Sequence, residues 1–277
     1  MRFLEYETWR LKKDCPMDAY ENMIETWFRY VVEKKKELFE EWVSAKYYTR
    51  CDHEGNPTGV FVMLFEYESL EGHHAYKSRK LRSYEVNDGV YAQYAANDPY
   101  QFFDLEHVEI LCMQPLKTDF WFDYTEEKRA IEKANGVELR RFLEYETWRV
   151  APDAVWEDYE KMIETWFTYV VEQKKALFDE WVSARYYQQC DKEGSPTGVY
   201  VMLFEYDSLE GHHAYKSRKL HSYALNDGVY ATYASNDPYQ FFDLDHVHID
   251  CMQPLRTDLW FDYSKEKENK SLKMTEL

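Results

Sequence analysis

The sequence FLEYETWR occupies residues 3–10 and is repeated at residues 142–149. The same offset of 139 positions aligns residues 2–124 with residues 141–263 without a gap, and 93 of the 123 aligned residues are identical. Two copies are too few for a solenoid, in which several repeats stack on one another. The chain is therefore expected to hold two domains of one kind, at residues 1–124 and 140–263, with a charged linker at 125–139 and a charged tail at 264–277.

Four segments of each copy have strand patterns. In the first copy, residues 2–10 and 43–50 have the two-residue period of a strand whose faces differ. Residues 59–67 form an almost continuous apolar run, which indicates a central strand covered on both sides. Residues 107–113 alternate again and supply the fourth strand.

Two helices separate these strands. Apolar side chains recur every three or four positions between residues 18 and 42, which predicts one long amphipathic helix. Ser69 can accept a hydrogen bond from the first turn of a second helix, which is expected to run to about Tyr84. A short extra helix is expected over residues 90–96. The element order is β-α-β-β-α-β, the ferredoxin-like split unit.

The sheet of such a unit carries helices on one face only, so its other face needs a cover. The second copy on the same chain can provide that cover. We therefore predict an α+β fold in which two antiparallel sheets pack into one barrel within a single chain, and further oligomerisation stays open.

This element order resembles that of the dimeric α+β barrel superfamily, and so does the junction between the third strand and the second helix, Leu64-Phe65-Glu66-Tyr67-Glu68-Ser69-Leu70-Glu71. The superfamily includes antibiotic-biosynthesis monooxygenases, the NIPSNAP and EthD-like families and haem-binding relatives of chlorite dismutase. The resemblance covers both copies. It implies ligands, including haem in some members, in a cavity between sheet and helices to which a histidine of the second helix contributes.

Charge and composition limit the partners. The chain has 52 acidic and 34 basic residues and a net charge of -18, which repels nucleic-acid phosphates and anionic membrane surfaces. No run approaches the roughly 18 apolar residues of a membrane span, and the first residues lack the apolar core of a signal peptide. With five cysteines and no CxxC spacing, we expect a soluble cytoplasmic protein whose reduced thiols pack in the core.

Carboxylates on the first strand are the leading catalytic candidates. Glu5 and Glu7 project from one face, and Glu144 and Glu146 repeat them in the second copy. If the apolar faces pack on helices, these carboxylates meet other titratable groups inside the barrel. The groups expected there are a tyrosine of the second strand and a histidine of the fourth strand in each copy, namely Tyr48, Tyr187, His107 and His246. Such a buried cluster can position an acid and a base; alternatively, its ion pairs only seal the barrel.

The fourth strand differs between the copies. His246, His248 and Asp250 alternate in the second copy, so that two imidazoles and a carboxylate share one strand face, as in some metal sites. The first copy has Glu109 and Leu111 where the second has His248 and Asp250. A transition-metal site formed by these residues would therefore belong to the second copy alone.

Two adjacent histidines open the second helix, and neighbouring helical residues point about 100° apart, so only one of them can face the sheet. The spacing of the apolar stripe favours His74, and His213 in the second copy, as the inward members. We therefore expect these two histidines to bind a ligand, together with Tyr84 and Tyr223 farther along the same stripe.

Two classes of function follow. The first is an enzyme that acts on an apolar or aromatic small molecule by His, Glu and Tyr acid-base chemistry, as a monooxygenase, cyclase, isomerase or lyase. The resemblance adds a variant of it, a metal- or haem-dependent oxidoreductase. The second class is a non-catalytic ligand-binding or interaction protein, because two closely similar copies keep the same polar clusters whether or not either is catalytic.

Overall fold

A computed structural model describes residues 2–136, 140–225 and 227–267. The strands and helices of the first copy are β1 (Phe3–Leu11), α1 (Met17–Glu33), α2 (Lys35–Leu38), β2 (Trp42–Cys51), β3 (Pro57–Tyr67), α3 (Leu70–Val86), α4 (Gly89–Ala96), β4 (Phe103–Pro115), β5 (Phe122–Asp123) and α5 (Thr125–Asn135). Those of the second copy are β6 (Phe142–Trp148), α6 (Trp156–Glu172), α7 (Lys174–Leu177), β7 (Trp181–Cys190), β8 (Pro196–Tyr206), α8 (Leu209–Leu225), β9 (His248–Pro254) and β10 (Phe261–Asp262).

Each copy has the predicted β-α-β-β-α-β order, with extra elements at its edges. The predicted long first helix is wrong in extent: α1 ends at Glu33, because Lys34 leaves the helical conformation with φ −100° and ψ 18°. The short helix expected over residues 90–96 is present as α4, whereas the second copy has 3-10 turns at Gly228–Tyr230 and Ala234–Asn236.

The two four-stranded sheets join edge to edge and close a barrel of eight strands. Within the first copy the order is β4-β1-β3-β2, and the second copy repeats it as β9-β6-β8-β7. Antiparallel pairing of β4 with β7 and of β2 with β9 closes the ring at two junctions, which we call the seams. The predicted barrel within one chain is thus confirmed, with each seam formed by one strand from each copy.

The barrel interior is apolar at its centre and has a small cavity lined in part by Lys46, Glu66 and Arg185. Leu4 and Tyr6 of β1 point inward, as do their equivalents Leu143 and Tyr145 of β6. The rings of Tyr6 and Tyr145 stack at the centre with centroids 4.3 Å apart. Interior and exterior residues alternate along each strand, as barrel closure requires.

Two larger aromatic cores lie outside the barrel, between each sheet and its helices. Phe3 and Trp9 of β1 pack against Tyr20 and Trp27 of α1. The Trp9 indole Nε1 donates to the Tyr20 hydroxyl at 3.2 Å, so these two buried polar groups satisfy each other.

Each copy extends an arm over the other. Phe122 of β5 packs in the core of the second copy, where β5 pairs with β7. Phe261 of β10 packs in the core of the first copy, where β10 pairs with β2. Helix α5, at the start of the predicted linker, is anchored on the second copy by buried Lys128, whose Nζ lies 2.9 Å from Asp207.

Residues 137–139 of the predicted linker and residues 268–277 of the predicted tail lie outside the described residues. Within the described part of the chain, the helices are too short or too polar to cross a membrane.

Candidate active sites between the sheet and the helices

The first-strand carboxylates lie outside the barrel, in contrast to the prediction. Glu5 and Glu7 share a strand face with Phe3 and Trp9, which is the face covered by helices. The predicted alternation holds, but the assignment of its faces was wrong, because Leu4 and Tyr6 fill the barrel instead. The two carboxylates and their equivalents therefore form one site per copy, between sheet and helices.

Glu5 is held as an anion. Its carboxylate is 1% exposed and lies 2.8 Å from His73 Nε2 and 2.9 Å from Lys77 Nζ, both on α3. Burial by itself raises the pKa of Glu5, but the Lys77 charge and the His73 hydrogen bond outweigh burial and lower that pKa to about 2. Glu5 is therefore ionised throughout the neutral range.

The second copy repeats this arrangement. Glu144 lies 2.7 Å from His212 Nε2 and 2.8 Å from Lys216 Nζ, and its pKa is likewise about 2, because these partners overcome its burial. Burial lowers the pKa of His212, so its imidazole is neutral and donates from Nε2 to Glu144. His212 Nδ1 then has no hydrogen-bond partner among the residues described.

The second carboxylate of each pair, Glu7 or Glu146, has a raised pKa instead. Burial raises the pKa of Glu7, and the nearby charge of Glu5 raises it further. The same two causes raise the pKa of Glu146 to about 7. Tyr100 donates its hydroxyl hydrogen to the Glu7 carboxylate, and its own pKa is raised by burial and by the Glu7 charge.

Each carboxylate pair lines a narrow cavity closed by aromatic rings and a cation. In the first copy, Lys80 Nζ lies 3.8 Å from the centre of the Tyr100 ring and 3.9 Å from the Asp98 carboxylate. The remaining walls are mainly aromatic side chains of the outer core, among them Trp9, Trp27, Trp42, Phe65, Tyr67, Tyr76 and Phe103. The free space between these groups has room for about one or two water molecules.

Two donors on the wall of the first cavity lack partners. Within the described residues, Trp42 Nε1 and the Tyr67 hydroxyl are buried without a hydrogen bond. Trp181 Nε1 is in the same state in the second cavity. Because buried donors are normally satisfied, a water molecule or a ligand atom in the cavity is expected to accept from them.

These residues do not fit a metal ion or a haem. The Glu5 carboxylate, His73 Nε2 and Cys112 Sγ lie within 4.8 Å of one another, as do the equivalent atoms of the second copy. However, the Lys77 ammonium already provides the cation beside Glu5, and burial raises the pKa of the Cys112 thiol to about 12, which disfavours a thiolate ligand. A haem is far larger than the free space, and it would need a much wider opening of the cavity than a small aromatic molecule would.

The predicted fourth-strand cluster does not form. His107 and His246 are exposed, with Nδ1 2.8 Å and 2.7 Å from the carboxylates of Asp104 and Asp243. His246 lies in a 3-10 turn before β9, so the strand alternation that would align it with His248 does not reach it.

The other two predicted metal ligands of the second copy, His248 and Asp250, lie side by side but apart from His246. His248 is exposed, with Nε2 3.2 Å from Asp250. Asp250 points into the barrel and pairs with Arg50 at 2.8 Å. The metal-type clusters found in the described ranges include none of these fourth-strand residues.

The inward histidine of α3 is His73, and the prediction of His74 was wrong. His74 and His213 are exposed. Their Nε2 atoms lie 2.6 Å from the carbonyl oxygens of Lys192, in the β7–β8 hairpin, and of His53, in the β2–β3 hairpin, so each histidine contacts a hairpin of the opposite copy. The apolar stripe predicted through His74 and Tyr84 is displaced, because Leu81, which lies between them on that stripe, is 66% exposed. The buried face carries other residues, namely His73, Tyr76 and Ser83.

The predicted tyrosines are divided between two places. Tyr48 and Tyr187 lie inside the barrel, as expected, but away from the carboxylates. Tyr84 and Tyr223 are about half exposed and donate to Asp98 and Asp237, beside the cavities.

Sequence reasoning missed several members of the site. They are Lys77, Lys80 and Tyr100 with their equivalents Lys216, Lys219 and Tyr239. The spacing of His73 and Lys77, four residues apart on one helix, was the signal available for the first of them.

Comparisons with known proteins agree on the fold. No family model and no curated protein matches the sequence. Among solved structures, an anthrone oxidase-like protein has a TM-score of 0.54 at 7% identity and covers 95% of this chain and 94% of its own. A proposed monooxygenase from Lactobacillus acidophilus NCFM has a TM-score of 0.51 at 6% identity, with 91% and 92% covered. A chlorite dismutase variant from Candidatus Nitrospira defluvii has a TM-score of 0.52 at 8% identity, with 93% and 92% covered.

These three proteins are ferredoxin-like α+β barrels. The present chain has their fold, with both halves of the barrel supplied by one duplicated polypeptide. At these identities the likeness extends to the fold alone.

Proposed function

We propose that this protein is an enzyme that transfers a proton to or from a small aromatic molecule, at one site in each copy. The supporting observation is the pair of buried carboxylates whose pKa values are driven apart: about 2 for Glu144 and about 7 for Glu146. Neighbouring carboxylates in opposite protonation states are typical of acid-base sites. A group with a pKa near 7 can both accept and release a proton at neutral pH.

Glu7 and Glu146 are the proposed general bases. The substrate's C–H or O–H bond breaks, its proton passes to the Glu7 carboxylate, and the electron pair stays on the substrate as an enolate or phenolate oxygen. Lys80, on the cavity wall, stabilises that developing charge. Glu5 stays ionised and acts through its field, which keeps the pKa of Glu7 raised.

The cavity walls suggest the substrate class. Trp9, Trp27 and Phe103 offer aromatic faces, and Lys80 supplies a charge at one side. The present free space is too small for such a molecule, so the cavity has to widen for it to bind. Proton removal of this kind can open an isomerisation, a cyclisation, an elimination or a cofactor-free oxygenation. We expect the enzyme to work in the cytoplasm.

A non-catalytic binding protein is the second candidate, and the ion pairing of Glu5 with Lys77 and of Glu144 with Lys216 favours it. In this case the carboxylates and lysines stabilise the fold, and a ligand binds without being changed. If the protein is an enzyme, loss of the Glu7 and Glu146 charge should lower turnover far more than binding. If it only binds a ligand, there is no turnover to lose.

Proton transfer can be measured directly. Anthrone, chosen because an anthrone oxidase-like protein shares the fold, is incubated with the protein in D₂O without oxygen, and deuterium uptake at its acidic carbon is followed by NMR. The wild type is expected to accelerate uptake over buffer. E7Q should lose about half of the acceleration, because the site of the second copy remains. In E7Q/E146Q the acceleration should be smaller than in the wild type by at least about 100-fold.

The control is E54Q/E193Q, which makes the same change at the exposed tips of the two hairpins and should keep the wild-type rate. A folded E7Q/E146Q protein that exchanges anthrone at the wild-type rate would refute the assignment of the base. If wild type binds anthrone but leaves its exchange at the buffer rate, the binding protein is the correct reading.

A further inference from the structure

Four of the five cysteines face one another across the seams of the barrel. Cys51 of β2 is the direct strand partner of Cys251 of β9, and Cys112 of β4 is the direct partner of Cys190 of β7. All four are buried free thiols. Each pair joins one copy to the other, and Cys15 is left over.

The register places the Cα atoms of each pair at a separation that disulfides span. At the first seam, Leu255 N donates to Tyr47 O, and that pair lies four steps along the ladder from Cys51 and Cys251. Because hydrogen-bonded and non-hydrogen-bonded pairs alternate, the cysteines also form a hydrogen-bonded pair, whose Cα atoms are about 5.5 Å apart. Disulfides most often span about 5.5–6 Å between Cα atoms.

The second seam has the same register. Leu116 N donates to Tyr186 O, again four steps from Cys112 and Cys190. The Cβ atoms of such pairs are about 5.5 Å apart, against about 3.8 Å in a disulfide, so the strands must shift slightly to form the bond. A bond formed with such strain is more readily reduced than an unstrained one.

We propose that Cys51–Cys251 and Cys112–Cys190 are two reversible disulfide sites that link the copies when a small disulfide such as oxidised glutathione is present. At each site the two thiols lose two electrons and two protons and form one S–S bond. The S–S bond of oxidised glutathione breaks, and the electrons and protons yield two molecules of reduced glutathione. The proposal does not depend on the proton-transfer function.

Burial sets the rate of this reaction. It raises the pKa of Cys51 and of Cys251 to about 12 and that of Cys190 to about 11, so thiolate is scarce at neutral pH. Oxidation is therefore slow in the closed barrel and faster when a seam opens or while the chain folds. His53 Nδ1 lies 3.8 Å from Cys251 Sγ, where it can accept the thiol proton. The residue equivalent to His53 at the other seam is Lys192, whose ammonium cannot accept a proton. The Cys51–Cys251 bond is therefore expected to form first.

Oxidation also changes the neighbourhood of the carboxylate clusters. Cys112 Sγ lies within 4.8 Å of the Glu5 and His73 ligand atoms, and Cys251 Sγ is placed in the same way beside Glu144 and His212. Bond formation draws each sulfur toward the opposite strand. Oxidation of a seam therefore changes the surroundings of the carboxylate cluster that its cysteine contacts.

The test uses the full chain with C15S and a protease site inserted between Asn135 and Arg140. The protein is incubated with oxidised glutathione, both folded and during refolding from guanidinium, then blocked, cleaved at the inserted site and run on a denaturing gel without reductant. We expect the two copies to migrate together, free thiols to fall from four to none, and dithiothreitol to separate the copies.

Pair variants serve as matched controls. C51A/C251A and C112A/C190A should each keep the copies linked through the remaining pair, and C51A/C190A should not link them. If the folded and refolded wild-type samples both keep four free thiols, or if they gain bound glutathione instead of a link between copies, the proposal is overturned.

Discussion

The raised pKa of Glu146 makes a quantitative prediction about stability. In the folded chain burial and the Glu144 charge raise this pKa to about 7, against an ordinary value of 4.5. Between these values the folded state holds a proton that the unfolded state releases, so the free energy of unfolding falls as pH rises. At about 1.4 kcal/mol for each tenfold change in proton affinity, the loss is roughly 3 kcal/mol, complete a little above pH 7.

Glu144 has the opposite dependence in a different range. Its folded pKa of about 2 lies below the ordinary value, so its stabilising contribution is complete above about pH 4.5 and is lost as pH falls toward 2. The interval from pH 4.5 to 7 therefore reports on Glu146, together with Glu7, whose pKa is shifted in the same direction.

Chemical unfolding of the wild type and E146Q in urea, at four pH values from 4.5 to 7.5, tests this reasoning. Glutamine resembles the protonated acid, so E146Q should gain stability relative to wild type as pH rises, by up to roughly 3 kcal/mol. Histidine titration contributes equally to both proteins and cancels in the difference. A difference that stays constant across the range would show that Glu146 ionises normally and would remove the basis for its proposed role.

Three further substitutions test other parts of the structure. Lys77→Met removes the cation beside the buried Glu5 carboxylate, which keeps only its hydrogen bond with His73, and should lower the free energy of unfolding in urea by about 3 kcal/mol. Adding Glu5→Gln should restore most of that loss. Gly55→Ala should lower the melting temperature, because Gly55 has φ +85° and a Cβ there would lie 2.6 Å from Leu209 Cδ2. An unchanged melting temperature would contradict the close approach of the β2–β3 hairpin to Leu209. Phe261→Ala should cost about 3 kcal/mol in urea unfolding if the exchanged arm is part of the first core, and under 1 kcal/mol if it is not.

The repeat and the strand periods were sufficient to predict the barrel. An offset of 139 residues without a gap requires both copies to adopt one fold, and a split β-α-β-β-α-β unit leaves one sheet face uncovered. Closure within the chain follows from these two facts. The exchanged arms were not predictable, because β5 and β10 are two residues long and their position depends on the opposite copy.

The candidate site was predicted only in part, because a strand period defines two faces without saying which faces the helices. Glu5 and Glu7 were identified, yet both faces of FLEYETWR mix large apolar and polar residues. The outer face was decided by packing of Phe3 and Trp9 on α1, a contact between distant parts of the chain. The choice between His73 and His74 likewise depended on about 100° of helix phase, which tertiary packing sets.

Departures from the repeat explain why the two copies pair with each other. At one seam Arg50 Nη2 lies 2.8 Å from the Asp250 carboxylate and 3.3 Å from the Tyr6 hydroxyl. The equivalent positions at the other seam are Gln189 and Leu111, which carry no charge. A barrel of two first copies would place Arg50 against Leu111 at both seams, and a barrel of two second copies would place Gln189 against Asp250.

A barrel of two first copies would leave Arg50 without Asp250 at each seam, and a barrel of two second copies would leave Asp250 with only the exposed His248 of its own strand. Leaving a charge unpaired in this way costs a few kcal/mol, whereas the natural arrangement pairs both. The charged pair thus favours joining unlike copies over joining like copies from different molecules, although 93 of 123 aligned residues are identical. The asymmetry therefore accounts for specific pairing of the halves without any difference in chemistry between the two carboxylate sites.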